Sequence, residues 1–260
     1  LPAILERNSI KFGEKPAFRE KEFGIWQSWN WREVHEHVNN MSLGLINLGI
    51  KEGEHICIIG RNRPHLYWSI IAAQNVGAIP TPLYQDSVAQ EMIFPISHCS
   101  AKMAIVENQE QVDKLLEIKK DITSLKNIIY LDPRGLRNYK KNNLYSLNDV
   151  FTLKNIENVS KLQTELKNRQ SKQNLDTKSI LLYTSGTTGR SKGVVLSNRN
   201  VIESGKAGSV FDKINSDFSL ICYLPMAWVG DFAFSMGLGL QSGMCISVSY
   251  THLTLPTIVD

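Results

Sequence analysis

The chain has 260 residues, of which 42% are hydrophobic and 21% are charged, so it is long enough to bury the core of one large domain or of two smaller ones. Its 29 basic and 25 acidic residues leave a net charge of +4 without long runs of either sign, which gives no reason to expect a nucleic-acid partner. The four cysteines are widely spaced and form no CxxC pair. They are typical of buried free thiols in a reducing cytoplasm rather than of a metal site.

The first strong helix signal follows Asn30. Asn30 and Glu33 have the spacing of a capping box, in which each side chain binds a backbone amide at the start of a helix. Apolar residues then recur at steps of four and three from Val34 to Leu48, which is the spacing of one helix face. Gly49 has the position of a helix-ending glycine.

The next segments alternate between strand and helix patterns. A strand at His55–Gly60, a helix from Pro64 to about Val76 and an extended segment at Ala78–Leu83 predict a βαβ unit with parallel strands. A second round contains a helix from Ser87, a strand at Met103–Val106, a helix at Gln109–Lys120 and a strand at Asn127–Tyr130. Because an interior proline disfavours a helix, we expect a kink or an early end at Pro95.

Residues 132–178 are polar, and they predict a long surface connection with short helices near Leu147–Phe151 and Lys161–Lys167. The later pattern consists of strands at Ser179–Tyr183, Gly193–Leu196 and Ser219–Leu224 with a helix at Asn198–Val210. We therefore expect an α/β fold with mostly parallel sheets flanked by helices. Residues 1–131 would form a first α/β subdomain and residues 179–247 the start of a second.

The segment LLYTSGTTGRSKG, Leu181–Gly193, passes from an apolar strand into hydroxyl groups, glycines and Lys192. A loop of this composition can direct amide and hydroxyl donors toward one point and bind an anion such as a polyphosphate. The alternative, from composition alone, is an ordinary solvent-exposed loop between two strands.

A P-loop, which is written GxxxxGK[ST] and opens a helix, does not fit this segment. Gly186 and Gly189 are too close together, Ser191 precedes the lysine, and the strand-like Val194–Leu196 follows.

Residues Tyr183–Gly193 closely resemble the signature of adenylate-forming enzymes, an aromatic residue followed by TSGTTG, two variable positions and KG. Ser191 stands where that family usually has proline. The stretches Trp29–Glu33, Gly77–Pro80, Leu83–Val88, Asp132–Leu136 and Leu224–Asp231 resemble the bacterial long-chain fatty acid–CoA ligase branch. The resemblance extends over about residues 1–247.

The resemblance implies two half-reactions. A fatty acid carboxylate attacks the α-phosphorus of ATP to give acyl-AMP and pyrophosphate, and the thiol of CoA then displaces AMP. It assigns catalytic roles to Thr184 and Lys192, with Mg²⁺ helping to absorb the charge. The residues that would hold the β- and γ-phosphates are Thr184, Ser185, Gly186, Thr187, Thr188, Gly189 and Lys192.

Trp228 lies in the stretch Leu224–Trp228, where the family often places an aromatic residue or histidine beside the acyl tunnel. The resemblance therefore makes Trp228 a candidate for the substrate pocket. Without it, a tryptophan in so apolar a stretch is a core residue, and Asp231 is a helix cap.

The family also has an adenine-binding segment with a Glu that helps to hold Mg²⁺, an Asp for the ribose and a C-terminal domain with a catalytic Lys. These segments do not occur in the 260 residues, so we expect this chain alone to form no acyl-AMP. Residues 248–257, VSYTHLTLPT, are identical to the translation of a transposon-end sequencing adapter. We therefore expect native sequence to end near Ser247 and residues 248–260 to be a non-native tail, the alternative being a strand and a loop.

Other functions stay open at this point. The phosphate loop is shared with aryl-CoA and medium-chain ligases and with peptide-synthetase adenylation domains, and a truncated non-catalytic protein or interaction module is a further alternative. The expected partners are small molecules, namely fatty acid, ATP and CoA. A fatty acid substrate suits a peripheral membrane contact, although no basic amphipathic helix is evident. The sequence indicates no oligomeric state.

Overall fold

The computed structural model describes residues 1–140, 142–151, 158–184 and 191–248. Its strands are β1 (Pro16–Glu22), β2 (Ile25–Asn30), β3 (His55–Ile59), β4 (Ile79–Leu83), β5 (Met103–Val106), β6 (Asn127–Tyr130), β7 (Leu144–Ser146), β8 (Lys178–Thr184), β9 (Lys192–Ser197), β10 (Ser219–Cys222) and β11 (Cys245–Val248).

The helices alternate with these strands over much of the chain. They are α1 (Pro2–Lys11), α2 (Trp31–Asn47), α3 (Pro64–Asn75), α4 (Ala89–His98), α5 (Gln109–Glu117), α6 (Leu147–Phe151), α7 (Val159–Ser171), α8 (Asn198–Phe211), α9 (Val229–Phe232), a π-helical segment (Ala233–Gly239) and α10 (Leu240–Ser242). The expected α/β class is confirmed. No helix in the described ranges is both long enough and apolar enough to cross a membrane.

The central sheet has the strand order β4-β3-β5-β6-β7, and each neighbouring pair in it is parallel. Side chains alternate between its two faces. Ile56 and Ile58 belong to a core that includes residues of α2 and α3, whereas Cys57 and Ile59 belong to a second core with residues of α4 and α5. Burial of both faces explains why these strands are continuous apolar runs.

The helix predicted after Asn30 is confirmed together with both of its ends. Asn30 accepts a hydrogen bond from the amide of Glu33 at 2.8 Å, and Glu33 Oε2 accepts one from the amide of Asn30 at 2.8 Å. At the other end the amide of Gly49 donates to Ile46 O and that of Ile50 donates to Leu45 O. Gly49 has φ +86°, the left-handed backbone that a glycine adopts freely after a helix.

A second sheet combines strands from both ends of the chain. Its order is β10-β11-β1-β2, with β1 parallel to β11 and antiparallel to β2. Strand pairing therefore crosses the predicted boundary between residues 1–131 and 179–247, because β1 and β2 join strands of the later segment. The division into subdomains stays a prediction. The last described strand ends at Val248, and the rest of the predicted tail lies outside the described residues.

The structure differs in part from two expectations. The connection predicted for residues 132–178 contains the helix α6 with the predicted bounds. It also contains the strand β7, which was not predicted and which pairs in parallel with β6 as the edge strand of the central sheet. Of the two outcomes expected at Pro95, the early end is wrong, because α4 continues to His98, whereas the kink stays a prediction. A proline removes one amide donor, and the helix tolerates this loss while Pro95 O accepts a bond from the amide of Cys99 at 3.1 Å.

Candidate functional site

The strands β8 and β9 form an antiparallel hairpin that brings two predicted site residues together. Thr184 is paired with Lys192 across this hairpin, and the Thr184 hydroxyl donates to Lys192 O at 3.5 Å. Both side chains are exposed. The other predicted phosphate-binding residues, Ser185, Gly186, Thr187, Thr188 and Gly189, lie outside the described residues.

Tyr183, the aromatic residue that opens the motif, fastens the end of β8 to α4. Its hydroxyl donates to Pro95 O at 3.1 Å, and His98 Nδ1 lies 2.9 Å from the same oxygen. Because the hydroxyl proton is used on Pro95, His98 Nδ1 is the donor in the second bond. Burial, reinforced by the nearby thiol of Cys99, raises the pKa of Tyr183. Tyr183 therefore stays neutral and fixes the strand end that carries Thr184.

Gly193, the last residue of the motif, packs closely against side chains of β8. It is paired with Tyr183, and a Cβ at this position would lie 2.9 Å from Leu181 Cδ1 and 3.5 Å from Tyr183 Cε1. A side chain here would displace the end of the Leu181 side chain and would touch the ring of Tyr183. The glycine lets β9 lie flat across them.

A cavity of ≈ 810 Å³ opens beside the end of this hairpin. Thr184 and Ser191 line its edge, and its walls come from the end of β4 and from one side of α4. The wall residues are mostly apolar, including Leu83, Met92, Ile93, Phe94 and Pro95. This combination suits a ligand with an anionic part at the hairpin and an apolar part along α4.

A second, smaller cavity of ≈ 190 Å³ lies at the ends of β3 and β4. It is lined by residues 60–62, 83–86 and 223–227. The side-chain nitrogen Nδ2 of Asn62 donates a hydrogen bond to Leu224 O at 2.7 Å. This bond links the segment after β10 to the residues that follow β3. Leu83 and Tyr84 line both cavities, so the two spaces adjoin at these residues.

Trp228 caps the N-terminal end of α9, and 46% of its surface is exposed. The interpretation of Trp228 as a core residue is therefore wrong, although its neighbours Met226 and Ala227 are buried. Burial raises the pKa of Tyr84, and a hydrogen bond with the Trp228 side chain opposes that shift. Trp228 thus contacts a residue of both cavities without lining either of them.

Asp231 does not cap α9, so the helix-cap interpretation is wrong. Its side chain is buried and accepts a hydrogen bond from the Tyr67 hydroxyl at 2.8 Å, while the Ser235 hydroxyl lies 3.4 Å from the same oxygen. Burial raises the pKa of Asp231 to about 7, although both hydroxyl bonds oppose the shift. Asp231 therefore links α9 to α3, and no spacing in the sequence announces this contact.

A third cavity, of ≈ 310 Å³, lies at the carboxyl ends of β3, β5 and β6. Its three arginines already pair with carboxylates, in the pairs Arg61–Glu107, Arg63–Glu20 and Arg134–Asp132. By contrast, no carboxylate in the described part of the chain forms an ion pair with Lys192. The hairpin is therefore the better place for a new anion.

The model of the family described as AMP-binding enzyme matches residues 5–259 of this chain. The chain belongs to the AMP-binding enzyme family. The match extends through the segment that resembles a translated adapter, and it includes both sheets and the β8–β9 hairpin. The resemblance proposed from the motif is thereby confirmed.

Relatives of this AMP-binding chain include long-chain-fatty-acid–CoA ligases. ACSBG1 of Rattus norvegicus is 26% identical over 255 residues, which are 96% of this chain and 34% of the relative. ACSBG2 of Homo sapiens is 28% identical over 231 residues, which are 88% of this chain and 34% of the relative. The chain thus spans about one third of the length of these relatives.

Solved structures share the fold of this AMP-binding chain. The luciferase-like enzyme of the mealworm Zophobas morio is 16% identical with a TM-score of 0.77, over 96% of this chain and 54% of that one. The N-terminal domain of FACL13 from Mycobacterium tuberculosis is 17% identical with a TM-score of 0.74, over 96% and 56% of the two chains. At such identities the likeness concerns the fold alone.

The described residues contain no group of three or more His, Cys, Asp or Glu side chains that could hold a metal ion. The four cysteines, by contrast, are free and buried as expected.

Proposed function

We propose that this chain is part of an ATP-dependent long-chain fatty acid–CoA ligase. The observation that carries the proposal is the meeting of Thr184 and Lys192 across the β8–β9 hairpin, at the edge of a large cavity with apolar walls. The names of the relatives support the same reaction class, since ACSBG1 and ACSBG2 are long-chain-fatty-acid–CoA ligases.

The proposed reaction joins a carboxylate to a polyanion, and repulsion between the two is its main physical difficulty. The ammonium of Lys192 places a positive charge at the hairpin, and the hydroxyl of Thr184 adds a donor. Both would act on the β- and γ-phosphates, where negative charge accumulates as pyrophosphate leaves. The role of residues 185–189 as further donors to the same phosphates belongs to the proposal.

Positioning of these donors would come from Tyr183. Donors stabilise a transition state best when they are held in place before the reaction begins. The Tyr183 hydroxyl is tied to Pro95 O and His98 on α4, one residue before Thr184. We therefore assign Tyr183 a positioning role and no contact with ATP.

The acyl chain would lie against the apolar side of α4, near Tyr84, which lines both cavities, and Trp228, which contacts Tyr84. Burial of each further methylene group contributes about 0.8 kcal/mol, so an apolar channel favours long chains over short ones. ATP and CoA are co-substrates in this proposal. Mg²⁺ would help to absorb the negative charge of the phosphates.

The proposed location is the cytoplasm. All four cysteines are buried free thiols, which is typical of proteins in a reducing compartment.

Rates with acids of different chain length test the substrate class. With ATP and CoA, we expect the complete ligase to give kcat/KM values that rise about fourfold per added methylene from hexanoate toward palmitate, until the channel is filled. The measurement is thioester formation with hexanoate, laurate, palmitate and benzoate. A preference for benzoate or hexanoate over palmitate would rule out the long-chain branch and leave an aryl- or short-chain ligase.

A further inference from the structure

The β1–β2 hairpin has an unusual residue in its turn. The strands are joined by Phe23 and Gly24, with φ of +48° and +82°. Positive φ at both positions is the geometry of a type I′ turn, in which Asn, Asp and Gly are strongly preferred. A phenylalanine in the left-handed region is sterically unfavourable. The geometry of the turn therefore does not explain why a phenylalanine occupies position 23.

The hairpin tip, defined as Phe23–Trp26, is also apolar on every side. Phe23 is 89% exposed, Ile25 65% and Trp26 47%. Trp26 is paired with Lys21, and Ile25 with Glu22, so these two apolar residues lie on opposite faces of the hairpin. A protein that docked on one face would leave the other apolar face in water. Apolar residues all around a convex tip are suited to immersion in an apolar medium.

Cations surround the tip on the Trp26 face. The Arg19 guanidinium lies 4.9 Å from the centre of the Trp26 ring, and Arg19 Nε donates to Ser247 Oγ at 2.7 Å. Lys21 is exposed. Among the residues that the structure describes, no carboxylate forms an ion pair with Arg19 or Lys21.

The acidic residues of β1 lie on the opposite face, where both pair with Arg63. Arg63 Nη1 lies 2.7 Å from Glu20 Oε1, and Arg63 Nη2 lies 3.6 Å from Glu22 Oε1. The tip therefore presents apolar and cationic groups together. This is the chemistry of the boundary of an anionic bilayer, where aromatic side chains lie at the level of the headgroups and Lys and Arg meet lipid phosphates.

We propose that the β1–β2 hairpin tip inserts into the surface of a membrane that contains anionic phospholipids. Phe23, Ile25 and Trp26 would enter the apolar boundary while Arg19 and Lys21 bind lipid phosphates. The inference rests on the proposed function only in that a long-chain fatty acid is itself held by membranes. The hairpin is remote in sequence from the β8–β9 hairpin, so the two proposals can be tested apart.

Co-sedimentation with vesicles, without ATP, CoA or fatty acid, tests this proposal. Vesicles are made of phosphatidylcholine alone or of phosphatidylcholine with phosphatidylglycerol, and binding is measured for the wild type and for Phe23→Asn and Trp26→Thr. Asn suits a type I′ turn and Thr suits a strand, so both variants keep the hairpin. The matched control is Phe211→Asn at the end of α8, where the phenylalanine is 86% exposed.

We expect the wild type to bind the anionic vesicles more tightly than the neutral ones. Phe23→Asn should lower the partition coefficient about tenfold or more, and Trp26→Thr should lower it similarly, while Phe211→Asn leaves it unchanged. Wild-type binding by Phe23→Asn, or an equal loss in Phe211→Asn, would overturn the proposal. Analytical ultracentrifugation provides a further test. If the wild type self-associates and the hairpin variants do not, the tip binds a second copy of the chain, and the proposal is overturned.

Ligase measurements separate this proposal from the proposed function. If the complete protein binds vesicles through the hairpin but forms no thioester, only the proposed function is contradicted. Thioester formation by a protein that does not bind anionic vesicles would contradict only the membrane contact.

Discussion

Burial of the Asp231 carboxyl makes the free energy of unfolding depend on pH. Its pKa is raised to about 7 from 3.8 by burial, so the folded state holds a proton that the unfolded state releases above pH 4. The associated stability is fully present at low pH and is lost as pH rises through about 7. Glu20, also raised to about 7 by burial, acts in the same direction, whereas burial lowers the pKa of His65 to about 4 and acts oppositely.

Comparison of the wild type with Asp231→Asn isolates the contribution of Asp231, because Glu20 and His65 are common to both proteins. An asparagine still accepts the bond from Tyr67 and never ionises. We expect the variant to gain roughly 2–3 kcal/mol of unfolding free energy relative to the wild type as pH rises from about 5 to 8. Urea unfolding at several pH values measures this, and a difference that does not change with pH would refute the assignment.

At the scale of single residues, the sequence can point only to residues that belong to a short contiguous motif. Thr184 and Lys192 were identified because they belong to one short motif, and the hairpin then paired them. Tyr67 and Asp231 are 164 residues apart in the chain, and their hydrogen bond arises only because α3 and α9 pack together. Such a contact carries no signal in spacing or composition. Trp228 was misread as core on composition alone for the same reason, since its exposure depends on how the chain enters α9.

At the scale of elements, a close approach between α8 and the π-helical segment depends on two glycines. A Cβ at Gly205 would lie 2.5 Å from Gly237 C and 2.5 Å from Gly237 O. Backbone atoms cannot move aside as a side chain can, so a methyl group at Gly205 forces the two helices apart. Gly208, on the same helix, has more room, since its Cβ would meet only Leu238 Cδ1 at 3.4 Å.

The variants Gly205→Ala and Gly208→Ala are therefore expected to have opposite effects. Gly205→Ala should lower the unfolding free energy by about 1–3 kcal/mol through overpacking. Gly208→Ala should leave it unchanged or raise it by up to about 1 kcal/mol, because alanine is the better helix former. Urea unfolding of both at one pH is the measurement. Equal effects in the two variants would show that the close backbone contact contributes nothing.

Elements with a strong local pattern were predicted well. The capping box at Asn30, the glycine at residue 49 and the apolar runs of β3, β5 and β6 each encode their own structure. By contrast, β7 has three residues in a polar region, and it is a strand only because β6 offers it a free edge. The continuation of α4 past Pro95 likewise has no signal in the local sequence, because an interior proline disfavours a helix.

At the scale of the whole molecule, the pairing of β1 with β11 joins residues 228 positions apart. The order of strands within the central sheet follows from short βαβ connections, which have a preferred hand. No such rule joins the first strand of the chain to the last described one. This is why the fold class was predictable from the sequence while the sheet membership of β1 and β2 was not.

The central claim of the proposal is that the end of the β8–β9 hairpin binds the terminal phosphates of ATP. It is based on the membership of the chain in the AMP-binding family and on the geometry of this hairpin. Lys192 and Lys178 provide a matched pair for testing it. Both are exposed lysines of the same hairpin, but Lys192 lies at the end beside the cavity, and Lys178 lies at the other end opposite Ser197.

The most direct measurement is palmitate-dependent exchange of pyrophosphate with ATP by the complete ligase and by the variants Lys192→Ala and Lys178→Ala. The loss of one charge that stabilises the departing pyrophosphate should slow exchange by roughly 10²–10³ in Lys192→Ala, with the rate of Lys178→Ala unchanged. Equal rates in all three proteins, or equal losses in both variants, would contradict the assignment of the phosphate site to this end of the hairpin.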